Sequence, residues 1–438
     1  MSPLNVVNDQ NPRQIAAGVL LQRRPRGSFT EDLLDRALGK TRLASVDRAL
    51  CLELVYGVVR WQVALDWLIA RKTDAREQKP GLQNLLRLGL YQIFWLDRIP
   101  SHAAVHETVE LAKQGGFGTQ AGFVNAVLRG FLRETESTRK LLAELKVSQP
   151  AIGWSHPDWL VTRWQKRWGA EKAAQQLAWN NTPPKTFARV NTLKIEPGKL
   201  IEKWRDENVE YDFIRRDWLE ENLVFELKSH PPLTSLASFR DGWFYVQDPS
   251  TLLAVKELSP QAGETILDLC AAPGGKTTYL AQLINNQGRI VAQDVSEERL
   301  DLVRQNCQRL CTTCVETVLP STLDSRLSTG FDRILVDAPC SNTGVIRRRL
   351  DLRWRIQPPE ISRLQKAQLA LLEQASPKLK PGGVLVYSTC SLEPEENSEV
   401  VQEFLRGHKE YKLEFERELI PFVDNVDGAY VARLTRLE

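Results

Sequence analysis

Residues 265–284 read TILDLCAAPGGKTTYLAQLI. An apolar run ends on Asp268 and Cys270, a Pro-Gly-Gly turn follows, and apolar residues then recur at helical spacing. The stretch predicts a strand, a tight turn and a helix. The same pairing returns three times downstream. RIVAQDV (289–295) precedes SEERLDLVRQNCQRL, DRILVDA (332–338) precedes EISRLQKAQLALLEQAS, and GVLVYSTC (383–390) precedes ENSEVVQEFLRG. Alternation of Val/Ile/Leu-rich strands with amphipathic helices predicts a Rossmann-like α/β domain over 246–438, its helices on both faces of a largely parallel sheet. Ligands of such a sheet bind beyond the carboxyl ends of its strands.

Upstream the texture changes. RALCLELVYGVVRWQVALDWLIA (48–70) and LQNLLRLGLYQIFWL (82–96) repeat apolar residues every three or four positions, which predicts an all-helical domain over 1–145. From 146 to 245 the segments are short and mixed. HPDWLVTRWQKRWG reads as helix, TFARVNTLK and LVFEL as strands, with prolines at 183, 184, 231 and 232, so this stretch is assigned to a small α+β linking domain.

A chain of 438 residues with 42% hydrophobic and 26% charged residues fits a multidomain globular protein. No apolar run reaches the length of a membrane span and no leader pattern opens the chain, which points to the cytoplasm. Seven dispersed cysteines suit a reducing compartment rather than a disulfide scaffold. The net charge of +3 excludes a uniformly basic nucleic-acid footprint. Local clusters remain: LLQRRPRG (20–27) and RRRLDLRWR (347–355). The second places Arg347, Arg348, Arg349, Arg353 and Arg355 just after a candidate catalytic loop, where they are expected to meet RNA phosphates.

The turn itself discriminates among ligands. GKT at 275–277 invites a phosphate-loop reading, which needs a glycine five positions before Gly275; that position holds Cys270. A GxGxxG fingerprint is also absent. What stays is a glycine turn after the first strand and an acid, Asp294, ending the second. This suits a ligand with a ribose diol and no phosphates to cradle, such as S-adenosylmethionine. A bare tight turn is the alternative.

Two cysteines, Cys340 in ILVDAPCSNTG (334–344) and Cys390 in YSTCS (387–391), stand at the ends of further core strands. A single buried cysteine is usually a small hydrophobe. Two at strand ends, beside Asp337 and Ser391, suggest nucleophilic chemistry, with a thiolate favoured by nearby cations or helix termini.

DLCAAPGGKT (268–277), DAPCSNTG (337–344) and YSTCSLEPEEN (387–397) together resemble the signature motifs of the RNA cytosine-C5 methyltransferases. The helical part, with DRALCLELVYGVVRW (47–61) and GFVNAVLRGF (122–131), resembles the NusB-type RNA-binding fold, an arrangement similar to the Sun/Fmu branch of that family. The resemblance implies S-adenosylmethionine-dependent methylation of a cytosine in 16S ribosomal RNA, free or in a small-subunit assembly intermediate, by a monomer. It implies Cys390 as the thiol that adds to C6, Cys340 as the one that resolves the adduct, and Asp337 with Lys276 on the base edge. Cofactor contacts fall to Ala272, Pro273, Gly274, Gly275, Lys276, Asp294 and Asp337. The family's adenine-binding acid after the third strand has no counterpart here: Val318 stands near its place and Asp324 lies later.

Two rivals are weighed against this reading. Cys307, Cys311 and Cys314 have the CxxxCxxC spacing of an iron–sulfur site, but Cys307 and Cys311 fall one turn apart on a predicted helix, and no second pair or histidine completes a zinc site, so no metal is assigned. A non-catalytic RNA-binding factor would not need Asp337, Cys340 and Cys390 together.

Overall fold

The computed structural model describes residues 11–24, 27–321 and 330–438, which form two compact units. The first runs to Thr182 and adds the distant segment Arg349–Arg355; the second holds Pro183–Arg348 and Ile356–Glu438.

The first unit is helical. Helix Pro80–Trp95 runs through its core, burying Leu82, Leu86, Leu88, Leu90 and Ile93. It lies so close to helix Ser45–Arg60 that a Cβ at Gly57 would fall 1.9 Å from Tyr91 Cζ, so no larger residue fits there. Arg349–Arg355 completes this core. Asp351 accepts hydrogen bonds from the Thr30 N–H and, at 2.8 Å, from its hydroxyl, satisfying the start of helix Thr30–Leu38. Trp354 Nε1 donates to Val59 O at 3.1 Å. Arg353 is fully buried and donates to Arg60 O (2.9 Å), Ser155 O (3.1 Å), Asn180 O (2.8 Å) and Asn181 Oδ1 (2.9 Å). Its guanidinium thus serves as a multi-pronged donor that ties helix ends and a turn of this unit together. Arg353→Leu strips these acceptors of their donor and is expected to destabilise the helical unit by about 3 kcal/mol. Hydrogen exchange checks this: protection should fall in Ser45–Arg60 and Ala170–Asn180 while the second unit is unaffected.

The second unit contains two sheets. In the smaller, β1 (Thr186–Val190), β2 (Glu210–Phe213), β3 (Val224–Ser229) and β4 (Phe244–Val246) pair antiparallel in the order β2-β3-β1-β4. Helix Pro197–Asp206 packs Leu200 and Trp204 into its core. The sheet starts at Thr186, and helices Asp158–Trp168 and Ala170–Asn180 precede it in the first unit.

The larger sheet has seven strands: β5 (Thr265–Leu269), β6 (Arg289–Gln293), β7 (Val315–Val318), β8 (Phe331–Asp337), β9 (Leu379–Thr389), β10 (Tyr411–Leu419) and β11 (Ala429–Arg436). Their order is β10-β11-β9-β8-β5-β6-β7, with β5 to β9 parallel and β11 antiparallel to both its neighbours. This is the expected Rossmann-like sheet. The first strand in chain order, β5, lies between β6 and β8, and the chain winds away from it in both directions. That reversal opens a crevice at the carboxyl ends. No helix among the described residues is long and apolar enough to cross a membrane.

Candidate active site

The turn after β5 is built as its residues demand. Gly274 sits at φ +99°, and a Cβ there would press on Val303 at 3.3 Å, so glycine is required on both counts. Helix Gly275–Leu283 follows at once. Behind it, the buried Arg189 of β1 donates to Gly275 O at 2.8 Å and Thr278 Oγ1 at 3.1 Å, its charge facing the rings of Tyr245 and Tyr279. The small sheet thereby fixes the start of this helix.

Asp268, fully buried on β5, accepts the Thr277 hydroxyl at 2.6 Å through one oxygen, while its Oδ1 has no hydrogen-bond partner among the described residues. Burial pushes its carboxyl up to about 7, against the pull of the Thr277 hydrogen bond. Asp294 follows β6 and is also buried. It accepts the Ala272 N–H at 2.9 Å, the Val295 N–H at 2.8 Å, and Arg299 Nε at 2.6 Å. The expected ribose acid therefore braces the glycine turn and already holds a cation. Ribose hydroxyls would compete with Arg299 for it. Val318 ends β7, and Asp324 lies outside the described residues.

Across the reversal, Asp337 ends β8. Lys276 Nζ donates to its Oδ2 at 2.6 Å and Ser388 Oγ to its Oδ1 at 2.8 Å. Burial would drain the Lys276 ammonium of its proton, but the Asp337 charge and hydrogen bond outweigh it and raise the amine above its usual range. The two thiols follow on adjacent parallel strands: Cys340 Sγ lies 3.2 Å from Cys390 Sγ, both unoxidised. The hydrogen bond to Cys390, reinforced by burial, pushes the Cys340 thiol well up, so it keeps its proton at neutral pH. Cys390 Sγ also lies 3.2 Å from Asn342 Oδ1.

The loops bearing the thiols interlock. Gly344 N–H donates to Cys390 O at 2.9 Å, and a Cβ on Gly344 would fall 2.7 Å from that oxygen. Thr343 Oγ1 accepts the Leu392 N–H at 2.9 Å. Ser341, Ser391, Gln368 and Glu396 form a buried cluster beneath the pair, which the sequence reading missed. The repeated Cys-Ser step, in APCS and in STCS, was the available signal.

Three family models match this chain: the 16S rRNA methyltransferase RsmB/F family over residues 255–435, the NusB family over 10–133, and the RsmF/B-like ferredoxin-like domain over 156–227. Among curated proteins, the probable ribosomal RNA small subunit methyltransferase B of Bacillus subtilis is 35% identical, covering 91% of this chain and 89% of the relative. The Synechocystis counterpart is 38% identical (92% and 90%), and the Cronobacter sakazakii ribosomal RNA small subunit methyltransferase B 37% (96% and 96%). The chain belongs to the ribosomal RNA small subunit methyltransferase B family. Solved structures agree on the fold. The crystal structure of PH0851 superposes with a TM-score of 0.77 at 24% identity, covering 97% of this chain and 98% of that one. A methyltransferase homologue from Pyrococcus horikoshii gives 0.58 at 34% (66% and 97%). NSun6 from the same organism, solved with SFG, gives 0.58 at 25% (64% and 98%).

As in a methyltransferase of this family, the cofactor is S-adenosylmethionine, and the turn fits it. Asp268 Oδ1, with no hydrogen-bond partner among the described residues, offers a buried acceptor beside the turn to a ligand that carries an ammonium group.

Within the arginine run, two positions, Arg347 and Arg353, need correction. Arg347 is buried, its Nε donating to Asp427 Oδ1 at 2.7 Å, and Arg348 pairs with Asp427 and, at 3.0 Å, with Asp248. Arg353 is the buried donor described above. Arg349 reaches Glu31 at 3.1 Å, and Arg355 donates to Ser28 O while covering the Phe29 ring. These side chains neutralise acids and fill carbonyls within their own units. Arg347 and Arg353 have no surface to offer a phosphate. The CxxxCxxC cysteines separate as well: Cys307 is buried on helix Glu297–Leu310, Cys311 is exposed at its end, and Cys314 precedes β7. No cluster of three potential metal ligands occurs among the described residues.

Proposed function

We propose that the chain methylates C5 of a cytosine in 16S ribosomal RNA through a covalent bond between Cys390 and C6. The observation that carries this is the thiol pair at 3.2 Å, set beside an Asp337 held at both oxygens by Lys276 and Ser388.

C5 of cytosine is a weak nucleophile. The Cys390 thiolate adds to C6, the C5–C6 π pair moves to C5 and the charge spreads onto N3, where it is met by a proton relayed from the Lys276 ammonium through Asp337, whose carboxylate also accepts from the N4 amino group. Lys276 keeps Asp337 in place and balances its charge. When bound, S-adenosylmethionine supplies an electrophilic methyl group to that C5. Ala272, Pro273, Gly274, Gly275 and Lys276 would hold it, with Asp294 for the ribose. The C5 proton is then taken by the Cys340 sulfur, once that thiol has released its own proton to solvent, the electron pair re-forms the C5–C6 double bond, and the Cys390 sulfur departs as thiolate. Cys340 fits the second half. Its thiol keeps its proton while Cys390 attacks and, within hydrogen-bond reach of the departing sulfur, can pass protons once C5 is substituted. The target base has to leave its stack to reach the crevice, which favours a loop or a partly assembled subunit as substrate.

The test is a single-turnover incubation with small-subunit ribosomal RNA and labelled S-adenosylmethionine. Wild type should yield 5-methylcytosine, and Cys340→Ala should accumulate a denaturant-stable protein–RNA adduct. A methyl group found on any other atom overturns the reading, as does labelled RNA with no adduct in Cys340→Ala.

A further inference from the structure

Beneath the two thiols lies a carboxylate that the reaction does not use. Glu396 is fully buried. Its Oε1 accepts the Ser341 N–H at 2.8 Å and Gln368 Nε2 at 3.1 Å; its Oε2 accepts the hydroxyls of Ser341 and, at 2.5 Å, Ser391. Ser341 follows Cys340 and Ser391 follows Cys390. One side chain thus grips the neighbour of each thiol. The grip extends further on the Cys340 side, because Gln368 Nε2 also donates to Pro339 O at 3.0 Å. On the Cys390 side, Ser391 Oγ accepts the Glu393 N–H at 3.0 Å, so its own proton is committed to Glu396. Tyr387 on β9 donates to Glu396 O at 2.6 Å, which fixes the backbone from which the carboxylate hangs.

A buried carboxylate is a costly way to join two loops, since burial pushes the group above the usual glutamate range against the pull of its serine donors. Apolar packing would do for stability alone. What a carboxylate adds is four acceptor sites converging from two atoms, and here all four are used. We propose that Glu396 is a positioning residue that holds Cys340 and Cys390 in mutual register, so that one thiol can serve the adduct the other has formed. The part concerning the adduct rests on the covalent reading above; the register of the thiols does not.

An amide at this position keeps the shape but turns one acceptor into a donor facing two hydroxyls, while alanine removes all four bonds. Misplacing a reacting group by about 1 Å can cost on the order of 100-fold in rate. Glu396→Ala is therefore expected to lower kcat about 100-fold and Glu396→Gln about 10-fold, with KM for RNA and S-adenosylmethionine changed less than about twofold, and Glu396→Asp falling between. The second readout is independent of methyl transfer. Diamide takes two electrons and two protons from a thiol pair in contact, leaving a disulfide and the reduced hydrazine. Mass spectrometry of the Cys340–Cys390 peptide pair gives the rate, which should drop at least about 10-fold in Glu396→Ala at a temperature where thermal unfolding shows that variant still folded. Should that variant not fold, Glu396→Gln and Gln368→Met carry the same two measurements. Parallel loss of kcat and cross-linking supports the assignment. Cross-linking at the wild-type rate in the variants overturns it, whatever kcat does. If wild type cross-links rapidly yet never forms an RNA adduct, the covalent reading fails, and slower cross-linking in the variants still supports Glu396 as the holder of the thiols.

Discussion

Cys390→Ala is expected to lose methyl transfer by a factor on the order of 10⁴ or more and to form no RNA adduct, with RNA affinity retained. No other group can replace the sulfur. A nucleophile must reach C6 from the carboxyl end of β9, and the nearest alternative, Cys340, follows β8 instead and is still held toward its protonated form by burial when the Cys390 partner is gone. Removing a nucleophile that splits a hard step into two easier ones typically costs several orders of magnitude. Cys390→Ser should be nearly as inactive, because a serine hydroxyl ionises far less readily than a thiol. The measurement is labelled methyl transfer in a single turnover, with filter binding to show that RNA still binds. Residual transfer within about 100-fold of wild type in Cys390→Ala would move the nucleophilic role to Cys340.

Asp337→Asn is expected to lower kcat by about 1000-fold, within the range for a lost acid–base group, while changing KM for S-adenosylmethionine little. The geometry sets the size of the effect. Asp337 accepts from Lys276 at 2.6 Å and Ser388 at 2.8 Å and still keeps a third of its side chain exposed. An asparagine can accept from only one side and turns N–H donors toward the other. It would push its amide at the Lys276 ammonium or at the N4 amino group of the base, and it could not relay a proton from Lys276 to N3 as charge develops there. Steady-state kinetics separates the outcomes. A change confined to KM for RNA would make Asp337 a binding group only.

The local parts of this protein were legible, and the distant ones were not. Strand, glycine turn and helix over 265–284 are contiguous, and only glycine satisfies the φ of +99° at Gly274, so sequence and structure meet there. The thiols could be placed at strand ends because Ile334–Val336 and Val384–Tyr387 read as buried strands. Their spacing could not be read, since it depends on β8 and β9 being neighbours. The Glu396 cluster joins side chains up to 55 residues apart, a relation no periodicity encodes. The arginine run misled at Arg347 and Arg353 for the same reason. Composition displays five cations, but the acids that meet three of them, Asp427, Asp248 and Glu31, lie 79 to 318 residues away. Asp294 and Arg299, five residues apart, were close enough to have been paired by eye.

The segment Arg349–Arg355 has a consequence for how the chain leaves the ribosome. The helical unit is translated first, yet Asp351, Arg353 and Trp354, which supply donors to Arg60, Ser155, Asn180 and Val59 and an acceptor to Thr30, are made some 170 residues after Thr182. At roughly 5–20 residues per second that is a wait of about 10–35 seconds. Through that interval the N-terminal helices stand with a missing seam, and a protein cut at Thr182 keeps that seam open for good.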